Sequence, residues 1–396
     1  MSFVLFFAFW FSLLALAYWY IGRRIIRPAG LAGWRRTVAW CLVVLLLLLP
    51  MIPFLFFISG AQGTWLDDLS WAGFVVMGFF SLLFTAVVMR DLGLLALGGI
   101  RKLFRRVALK PPPQREVDKE RRRFLVHASN LGILGLSAGA TGYGFLEAHR
   151  RADIEEVTIP LAGLPPEFDG FRIVQFTDVH VGPTIKGDFV ERVVEQVLGL
   201  KADMIAFTGD LVDGSVSWLK DDVAPLAALK APFGTFFVTG NHEYYSGANA
   251  WIREAGRLGF DVLMNEHRLL RKGDAGLVIA GVTDFGAGEF IADHRSDPAA
   301  AAMNTPEGMV KVLLAHQPRS VFAAEQVGFD LQLSGHTHGG QFFPWNHLAT
   351  LSQPYIKGLH KHGGTWVYVS RGTAYWGPPL RLGNPPEITL ITLRRS

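Results

Sequence analysis

Five short polar clusters in this sequence each follow directly after an apolar, β-rich run, and their residue types can bind metal ions. Asp178-Val179-His180 follows the run RIVQFT, Gly209-Asp210 follows DMIAFT, and Gly240-Asn241-His242-Glu243 follows TFFVT. His316 follows VKVLLA, and Gly335-His336-Thr337-His338 follows DLQLS. Carboxylate, amide and imidazole groups without any thiolate suit hard or borderline divalent ions such as Mn, Fe or Zn.

The position of these clusters indicates that they meet. Apolar runs bounded by Gly and Pro predict buried strands. In an open α/β sheet ligands bind outside the carboxyl ends of the strands, so clusters at five strand ends can converge on one crevice. Any single histidine of the set is more often a core residue than a ligand, but five motifs in order indicate a site. We therefore predict a dinuclear metal centre.

The order of the motifs resembles the calcineurin-like metallophosphoesterase family: D-x-H, G-D-x-x-D, G-N-H-E, a lone histidine, then G-H-T-H. The resemblance covers roughly residues 153–396, and every motif is present with no ligand replaced. It implies a two-sheet α/β sandwich flanked by helices. It also implies a metal-dependent phosphoric ester hydrolase of the phosphodiesterase or pyrophosphatase type. The G-H-T-H-G-G-Q form is similar to the bacterial membrane-associated branch, which includes enzymes similar to UDP-diacylglucosamine pyrophosphatase.

The resemblance further implies a role for each ligand. Asp210 is expected to bridge two ions, since a carboxylate has two oxygens. The expected ligands are Asp178, His180, Asp210 and His338 for the first ion, and Asp210, Asn241, His316 and His336 for the second. The implied nucleophile is a hydroxide that bridges both ions, because bound cations lower the pKa of water.

Residues next to the ligands are expected to assist them. His242 is placed to protonate the leaving oxygen or to stabilise phosphoryl charge. Asp213 completes G-D-x-x-D and is expected to orient a ligand or a loop. Glu243 is expected to be the hydrogen-bond partner of His242, with a solvated turn carboxylate as the alternative. Asp284 and Arg371 also follow strands, and either line the site or form structural salt bridges.

The first part of the chain predicts a membrane region. Half of the 396 residues are hydrophobic, and the excess lies in the first 150 positions. Uncharged stretches at 2–20, 37–58 and 72–89 are long enough to cross about 30 Å of hydrocarbon. A weaker fourth stretch, 124–146, contains five glycines. We therefore expect three to four transmembrane helices in residues 1–150 and a catalytic domain in residues 151–396.

The sequence also predicts a helix kink and an interfacial stretch within this membrane region. Pro50 and Pro53 predict a kink in the second span. The stretch 92–104 is short for a span and is expected to lie in the membrane interface.

Lysine and arginine in the loops predict the orientation. Residues 21–36 and 90–123 are rich in arginine, whereas the loop at 59–71 has none and carries Asp67 and Asp68. The arginine-rich loops are therefore expected in the cytoplasm, and the catalytic domain on the outer face of a bacterial inner membrane. Arg121-Arg122-Arg123 resembles a twin-arginine export signal, with an ordinary positive-inside flank as the alternative.

Partners follow from composition and from the tail of the chain. Net charge is +4, but acids and bases are mixed in the catalytic part, so nucleic acid is not an expected partner. The single cysteine, Cys41, excludes an intramolecular disulfide. Aromatic residues after the last motif are expected to form an apolar rim for acyl chains, with core packing as the alternative: Phe342, Phe343, Trp345, Tyr355, Trp366, Tyr375 and Trp376.

The sequence therefore predicts a membrane-anchored phosphoesterase that acts on a phosphodiester or a lipid-linked phosphate. A soluble nucleotide or phosphodiester is the second candidate substrate. The alternative function is a non-catalytic sensor of metal or phosphate, or an accessory subunit of a membrane complex. His242 argues against that alternative, because a binding module needs no general acid beside its ligands.

Overall fold

A computed structural model describes residues 3–107 and 118–396. These residues form two compact units. One consists of the residues up to Ser59 together with Asp68–Tyr143, and the other of Gly60–Asp67 together with Gly144–Ser396.

The N-terminal part is helical. Its helices are α1 Phe3–Ile26, α2 Gly33–Leu48, α3 Met51–Ser59, α4 Thr64–Val107 and α5 Lys119–His149. Among the described residues, three helical segments are long and apolar enough to cross a membrane, namely Gly33–Phe56, Thr64–Phe104 and Lys119–His149. The predicted span 2–20 lies in α1 from Phe3 onward, and its first residue is outside the described range.

The helix boundaries test two of the expectations. The helix is interrupted between Leu48 and Met51, so the predicted kink is present at Pro50. Pro53 lies in the first turn of α3. The stretch 92–104 is not a separate element, because α4 runs unbroken through it for 44 residues. Its place in the membrane interface stays a prediction. Each glycine in this stretch costs only about 1 kcal/mol relative to alanine, and the leucines around them are strong helix formers.

Twelve strands lie within residues 144–396, all of which the structure describes. They are β1 Asp153–Leu161, β2 Arg172–Phe176, β3 Met204–Phe207, β4 Thr235–Phe237, β5 Asp261–Val262, β6 Glu266–Lys272, β7 Ala275–Gly281, β8 Lys311–Leu314, β9 Leu331–Ser334, β10 Gly358–His362, β11 Thr365–Val369 and β12 Glu387–Arg395. The helices between them are α6 Gly187–Gly199, α7 Val216–Val223, α8 Asn241–Tyr245, α9 Ala248–Arg257, α10 Pro298–Ala302, α11 Val321–Val327 and α12 Trp345–Leu348.

The strands form two six-stranded mixed sheets. The first has the order β1-β12-β2-β3-β4-β5 and the second β10-β11-β9-β8-β7-β6. Strands β2 to β5 are parallel neighbours, as are β7, β8, β9 and β11. Each sheet therefore directs the carboxyl ends of its central strands to one edge, where ligands bind in α/β proteins.

The two sheets pack face to face with helices outside. Ile173 and Ala206 of the first sheet share one apolar cluster with Leu314 and Leu333 of the second. The other face of the first sheet is covered by α6, α7 and α9, and that of the second by α10 and α11. Helix α6 shows why: its apolar residues recur every three or four positions and form one buried stripe. This arrangement confirms the predicted sandwich flanked by helices.

Candidate metal centre

The predicted ligands lie just beyond the carboxyl ends of five central strands. Asp178 follows β2, Asp210 follows β3, Asn241 follows β4, His316 follows β8, and His336 with His338 follows β9. Three groups of potential metal-binding side chains lie together, each with its donor atoms within 4.8 Å of one another: Asp178, His180 and His338; His180, Asp210 and His242; Asp210, His316 and His336. The structure thus brings both predicted ligand sets together at the edge shared by the two sheets.

The backbone at this edge is unusual. Five of the predicted ligands have positive φ angles, which residues other than glycine seldom adopt: Asp178 56°, His180 51°, Asp210 57°, His336 72° and His338 51°. Each such residue costs about 1–3 kcal/mol and persists only where its surroundings fix it. The chain therefore stores strain at the point where it aims these side chains inward.

Glycines allow the loops to approach one another. A Cβ on Gly240 would lie 2.1 Å from Asp210 Oδ1, and a Cβ on Gly335 would lie 2.3 Å from Asp178 Oδ2. Both distances are far below van der Waals contact. The glycines of the G-N-H-E and G-H-T-H motifs are therefore needed to seat the carboxylates of the neighbouring loops.

In the first ligand set, the imidazole nitrogens face each other and one carboxylate. His180 Nε2 lies 3.1 Å from His338 Nε2. Asp178 Oδ1 lies 3.9 Å from His180 Nε2 and 3.6 Å from His338 Nε2. Two ligands that bind one ion at about 2.1 Å are separated by about 3.0 Å at a right angle and about 3.4 Å in a tetrahedron. The distance between the two imidazole nitrogens falls in this range, and the two longer distances stay below the roughly 4.2 Å that separates ligands on opposite sides of one ion.

The second set has the same spacing. His316 Nε2 lies 3.0 Å from Asp210 Oδ2 and 3.2 Å from His336 Nδ1. The other nitrogen of His316 contacts the carbonyl oxygen of Thr208 at 2.7 Å, which holds the ring so that Nε2 points inward. Asn241 Oδ1 is buried and has no hydrogen-bond partner. A buried amide oxygen without a partner is costly, and a cation would satisfy it.

Asp210 lies between the two sets. Its Oδ2 is 3.0 Å from His316 Nε2 and 3.8 Å from His180 Nε2, while its Oδ1 accepts a hydrogen bond from the His242 backbone N–H at 2.9 Å. Of the two predicted aspartate ligands, Asp210 is the one whose Oδ2 lies near an imidazole of each ligand set. The donor types, the spacing and the unpartnered amide oxygen of Asn241 all fit a pair of divalent ions.

Burial and mutual charge shift the protonation of these groups in opposite directions. Burial by itself raises the pKa of Asp210, but the surrounding imidazoles, led by His316, hold that pKa well below its usual range. Burial lowers the pKa of His336 to about 3, helped by the charge of His316. Burial and the neighbouring Arg381 also hold the pKa of His338 well below its usual range. An ionised carboxylate and neutral imidazoles are the forms that bind metal. His316 differs from the other two histidines. Burial lowers the pKa of His316, but the charge of Asp210 outweighs burial and raises that pKa to about 10, so this ring must release a proton when it binds an ion.

Asp213 joins two imidazoles. Its Oδ2 lies 3.3 Å from His180 Nδ1, and its Oδ1 forms a short contact with His242 Nδ1. The Nε2 atoms of both rings are thereby directed toward Asp210, with His242 Nε2 4.0 Å from Asp210 Oδ2. Although burial lowers the pKa of His242, the charges of Asp213 and Asp210 raise it to about 9. The direction of this shift favours the protonated form of His242, which is the form that a proton donor requires.

The expected hydrogen bond between Glu243 and His242 is not formed, and Glu243 is not solvated either. Its side chain is fully buried. Its oxygens accept hydrogen bonds from the backbone N–H groups of Asp210 at 3.0 Å, Leu211 at 2.7 Å and Gly240 at 2.6 Å. Glu243 therefore fixes the Asp210 loop against the Gly240 loop.

The two further strand-end residues divide between their alternatives. Arg371 forms salt bridges with Glu387 at 2.6 Å and Glu155 at 3.1 Å, so its role is structural. Asp284 is buried and accepts a hydrogen bond from Gln317 Nε2 at 2.9 Å, beside His316. Burial raises the pKa of Asp284.

Comparison with known proteins agrees with this geometry. Residues 171–340 match the model of the calcineurin-like phosphoesterase family. An uncharacterized metallophosphoesterase of Helicobacter pylori is 38% identical over 275 residues, which cover 69% of this chain and 72% of that protein. The chain belongs to the calcineurin-like metallophosphoesterase family.

Two further relatives of this family differ in how much of the chain they match. A transmembrane protein with metallophosphoesterase domain from Danio rerio is 31% identical over 405 residues, covering 97% of this chain and 88% of that protein. An uncharacterized metallophosphoesterase of Bacillus subtilis is 32% identical over 289 residues, covering 70% of this chain and 98% of that protein. The resemblance to the zebrafish relative thus includes the N-terminal part of the chain.

Family membership carries two general properties. Metallophosphoesterases bind divalent metal ions, and the histidine and aspartate cluster fits such a site. They are phosphoester hydrolases. The individual ligand and catalytic roles, the metal and the substrate stay predictions.

Two features next to the metal centre were not predicted from the sequence. Arg381 is fully buried, donates hydrogen bonds to the carbonyl oxygens of His338 at 2.9 Å and Arg371 at 2.7 Å, and lies 3.0 Å from His338 Nδ1. Burial lowers the pKa of Arg381 to about 9. It positions the end of the G-H-T-H loop. No motif marks it, because its partners are mostly backbone atoms.

An aromatic rim borders His242, but only part of it was expected. Trp376 and Tyr245 contact the His242 ring at 5.3 Å and 5.1 Å between centroids, and Phe290 contacts Tyr245 at 5.5 Å. All three aromatic side chains are exposed. Of the aromatics predicted for a rim, Phe342 and Tyr375 are instead buried core residues.

Proposed function

We propose that this protein is a membrane-anchored, dinuclear-metal phosphoesterase. The observation that carries the proposal is the convergence of imidazole, carboxylate and amide donors at ligand spacing, with a buried amide oxygen of Asn241 that lacks a partner. One ion would bind Asp178, His180, Asp210 and His338, and the other Asp210, Asn241, His316 and His336. Bound divalent ions supply Lewis-acid charge, which activates water and polarises phosphate oxygens.

The residues beside the ligands complete the chemistry. His242 donates a proton from Nε2 to the oxygen of the departing alcohol or phosphate. Asp213 holds the His242 ring through Nδ1 and stabilises its positive charge. A sensor that only binds metal or phosphate needs no such pair, so the contact between His242 and Asp213 favours turnover.

The rim suggests the substrate. Trp376, Tyr245 and Phe290 offer exposed aromatic surface directly beside the proposed acid. Exposed aromatics at a site bury an apolar part of the ligand. We therefore propose a phosphodiester or pyrophosphate whose leaving or retained group is apolar, such as a lipid-linked phosphate.

The catalytic unit is proposed to lie outside the cytoplasm. The absence of lysine and arginine from the loop at 59–71 supports a position outside the cytoplasm. Gly60–Asp67 belongs to the same compact unit as the catalytic residues. Within that unit Asp67 pairs with Lys186 at 3.0 Å, and Gln62 accepts a hydrogen bond from Ser215 at 3.0 Å. Both observations support the same side for the loop and the active site.

Hydrolysis tests the chemistry. The full-length protein, purified in detergent and stripped of metal, is assayed on chromogenic phosphodiesters and monoesters with Mn²⁺, Fe²⁺ or Zn²⁺. We expect metal-dependent hydrolysis, with higher kcat/KM for esters that carry an acyl or aromatic group. Bound metal without hydrolysis of any ester would favour the sensor instead.

Reporter fusions test the orientation. A reporter enzyme that is active only outside the cytoplasm is fused after Ser396 or near residue 110. Activity is expected from the first fusion and not from the second. The reverse pattern would place the active site in the cytoplasm while leaving the proposed chemistry intact.

A further inference from the structure

A cavity of about 1000 Å³ lies within the N-terminal helical unit, between α1, α4 and α5. The three helices pack around Ile21, Leu83 and Val87, with Ile133 against them. The cavity opens beside this small core. Its charged lining residues are Arg23, Arg24, Arg27, Arg90, Arg121, Arg122, Asp91 and Asp118.

The cavity is strongly cationic. Six arginines against two aspartates leave a net charge of +4 in its lining. Asp91 is already neutralised, since it pairs with Arg24 at 2.5 Å and with Arg90 at 3.1 Å. Asp118 is used as the cap of α5, where its Oδ1 accepts hydrogen bonds from the backbone N–H groups of Glu120 and Arg121.

The remaining cations are Arg23, Arg27, Arg121 and Arg122. Within the described ranges 3–107 and 118–396, none of these four guanidinium groups has a carboxylate within 4 Å. Arg23 stacks on the ring of Trp19 at 5.3 Å. Four guanidinium groups that lack a carboxylate partner around one cavity favour an anionic ligand, because like charges held together repel.

A buried polar framework holds part of this cavity in place. Asp91 and Asn130 are 8% and 7% exposed. Asn130 accepts a hydrogen bond from Arg90 at 2.5 Å and donates one to the carbonyl oxygen of Arg24 at 3.0 Å, and Tyr20 donates a short hydrogen bond to Asp91. Ionisable groups buried between membrane helices are expensive and usually functional. Helices that only anchor a domain would not need them.

Helix length predicts that the cavity lies at the depth of a lipid headgroup. An α-helix rises 1.5 Å per residue, so the stretch of α4 from Trp71 to Arg90 covers about 30 Å, the thickness of the hydrocarbon core. The guanidinium groups are therefore expected where that core ends. Trp19, Leu94 and Leu125 line the same cavity and are exposed, so apolar surface stands beside the charges. A ligand with a phosphate head and acyl chains matches both features.

We propose that this cavity binds the phosphate headgroup of an anionic phospholipid of the cytoplasmic leaflet. Guanidinium groups bind phosphate oxygens in pairs of parallel hydrogen bonds. Basic pockets between membrane helices on the cytoplasmic side recognise such headgroups. The choice of leaflet rests on the proposed orientation, but binding itself does not depend on the phosphoesterase activity.

Lipid binding by the full-length protein tests the site. The protein in non-ionic detergent is titrated with fluorescent phosphatidylglycerol, which is anionic, and with phosphatidylcholine, which is zwitterionic. We expect saturable phosphatidylglycerol binding at least about tenfold tighter than phosphatidylcholine binding. The double variant Arg23→Gln/Arg27→Gln should weaken it about 25-fold, taking about fivefold for each basic residue near an anionic lipid.

The matched control is Arg35→Gln/Arg36→Gln. These two arginines are exposed, belong to the same predicted loop and do not line the cavity. The control loses the same charge, but because these arginines lie outside the cavity lining its affinity should stay within about twofold of that of the unmodified protein. Equal weakening in both double variants would overturn the site, because it would show a general charge effect.

A second pair of variants covers the case in which Arg23→Gln/Arg27→Gln fails to fold. Leu94→Glu places a carboxylate in the cavity lining, whereas Leu97 is equally exposed but is not part of the lining. Only Leu94→Glu should weaken phosphatidylglycerol binding, and an equal effect of Leu97→Glu would contradict the proposal. If millimolar inorganic phosphate displaced the lipid completely, the natural ligand of the cavity would be a free phosphate compound, and the lipid proposal would be wrong.

Discussion

Asp213→Asn is the substitution for which the structure gives the sharpest expectation. One carboxylate serves two imidazoles: Oδ2 lies 3.3 Å from His180 Nδ1, and Oδ1 contacts His242 Nδ1. An asparagine of the same shape has one oxygen and one NH₂ group. It can accept a hydrogen bond from one ring only, and it presents a donor to the other. That ring must then carry its proton on Nε2, the nitrogen that faces the proposed site.

The size of the loss follows from the two contacts. Asparagine can keep one of them, so the variant loses the orientation of one ring. A hydrogen bond to a charged group contributes about 1.5–3 kcal/mol. Since 1.36 kcal/mol is a factor of ten in rate, kcat should fall by roughly 10- to 150-fold. If the NH₂ group faces His180, metal affinity should also fall by about 10–100-fold, the usual effect of removing the partner of a metal-binding histidine.

Steady-state hydrolysis of a nitrophenyl phosphodiester and the metal content of the purified variant measure both effects. Asp188→Asn is the matched control, because Asp188 is exposed and pairs only with Arg192 at 2.9 Å. The control should keep its activity and its metal. A kcat for Asp213→Asn within tenfold of the unmodified protein would refute the idea that this carboxylate orients the imidazoles.

Four further predictions follow from the same site. Asp210→Asn should reduce activity more than any other single change, because Asp210 is assigned to both ions; two retained ions with activity within tenfold would disprove the bridge. His242→Ala should keep both ions while kcat falls by about 10²–10⁴-fold, less so for nitrophenolate leaving groups, and loss of metal would make His242 a ligand. Gly335→Ala should displace Asp178, since the new Cβ would lie 2.3 Å from the carboxylate, and both metal content and activity should fall. The control Gly199→Ala should change neither, because nothing lies within 4 Å of its Cβ. Chelation should lower the melting temperature by roughly 5–10 °C, because ions at 100 times their Kd contribute about 2.7 kcal/mol, and an unchanged melting temperature would mean that the ions do not bind the folded site.

The central strands were predictable because they are buried on both faces. β3 and β8 appear in the sequence as continuous apolar runs, and the polar residue that ends each run marks the site. The edge strands β6 and β10 carry charged and histidine side chains on half-exposed surfaces, so no apolar run or clean alternation marks them. Helix α7 ends at Val223, because Pro225 lacks the backbone N–H that would continue it.

The contacts around the metal centre were less predictable than its ligands. Glu243 bonds to backbone N–H groups of Asp210 and Leu211, more than thirty positions away in sequence. Backbone donors carry no residue-type signal, so neither Glu243 nor Arg381 could be assigned from sequence alone. The rim residue Phe290 lies in a loop without any motif, and only the fold brings it beside Tyr245.

The strained backbone and the buried charges of the site have one explanation in common. Positive φ angles at Asp178 and Asp210 cost conformational energy, and burial raises the pKa of Asp178 because its charge is poorly solvated. Neither feature stabilises the fold by itself, and the unpartnered oxygen of Asn241 adds a further cost. Cations bound among these groups would offset all three costs at once. Stability and metal affinity are therefore linked at these strand ends, because the features that are costly without cations are those that would hold them.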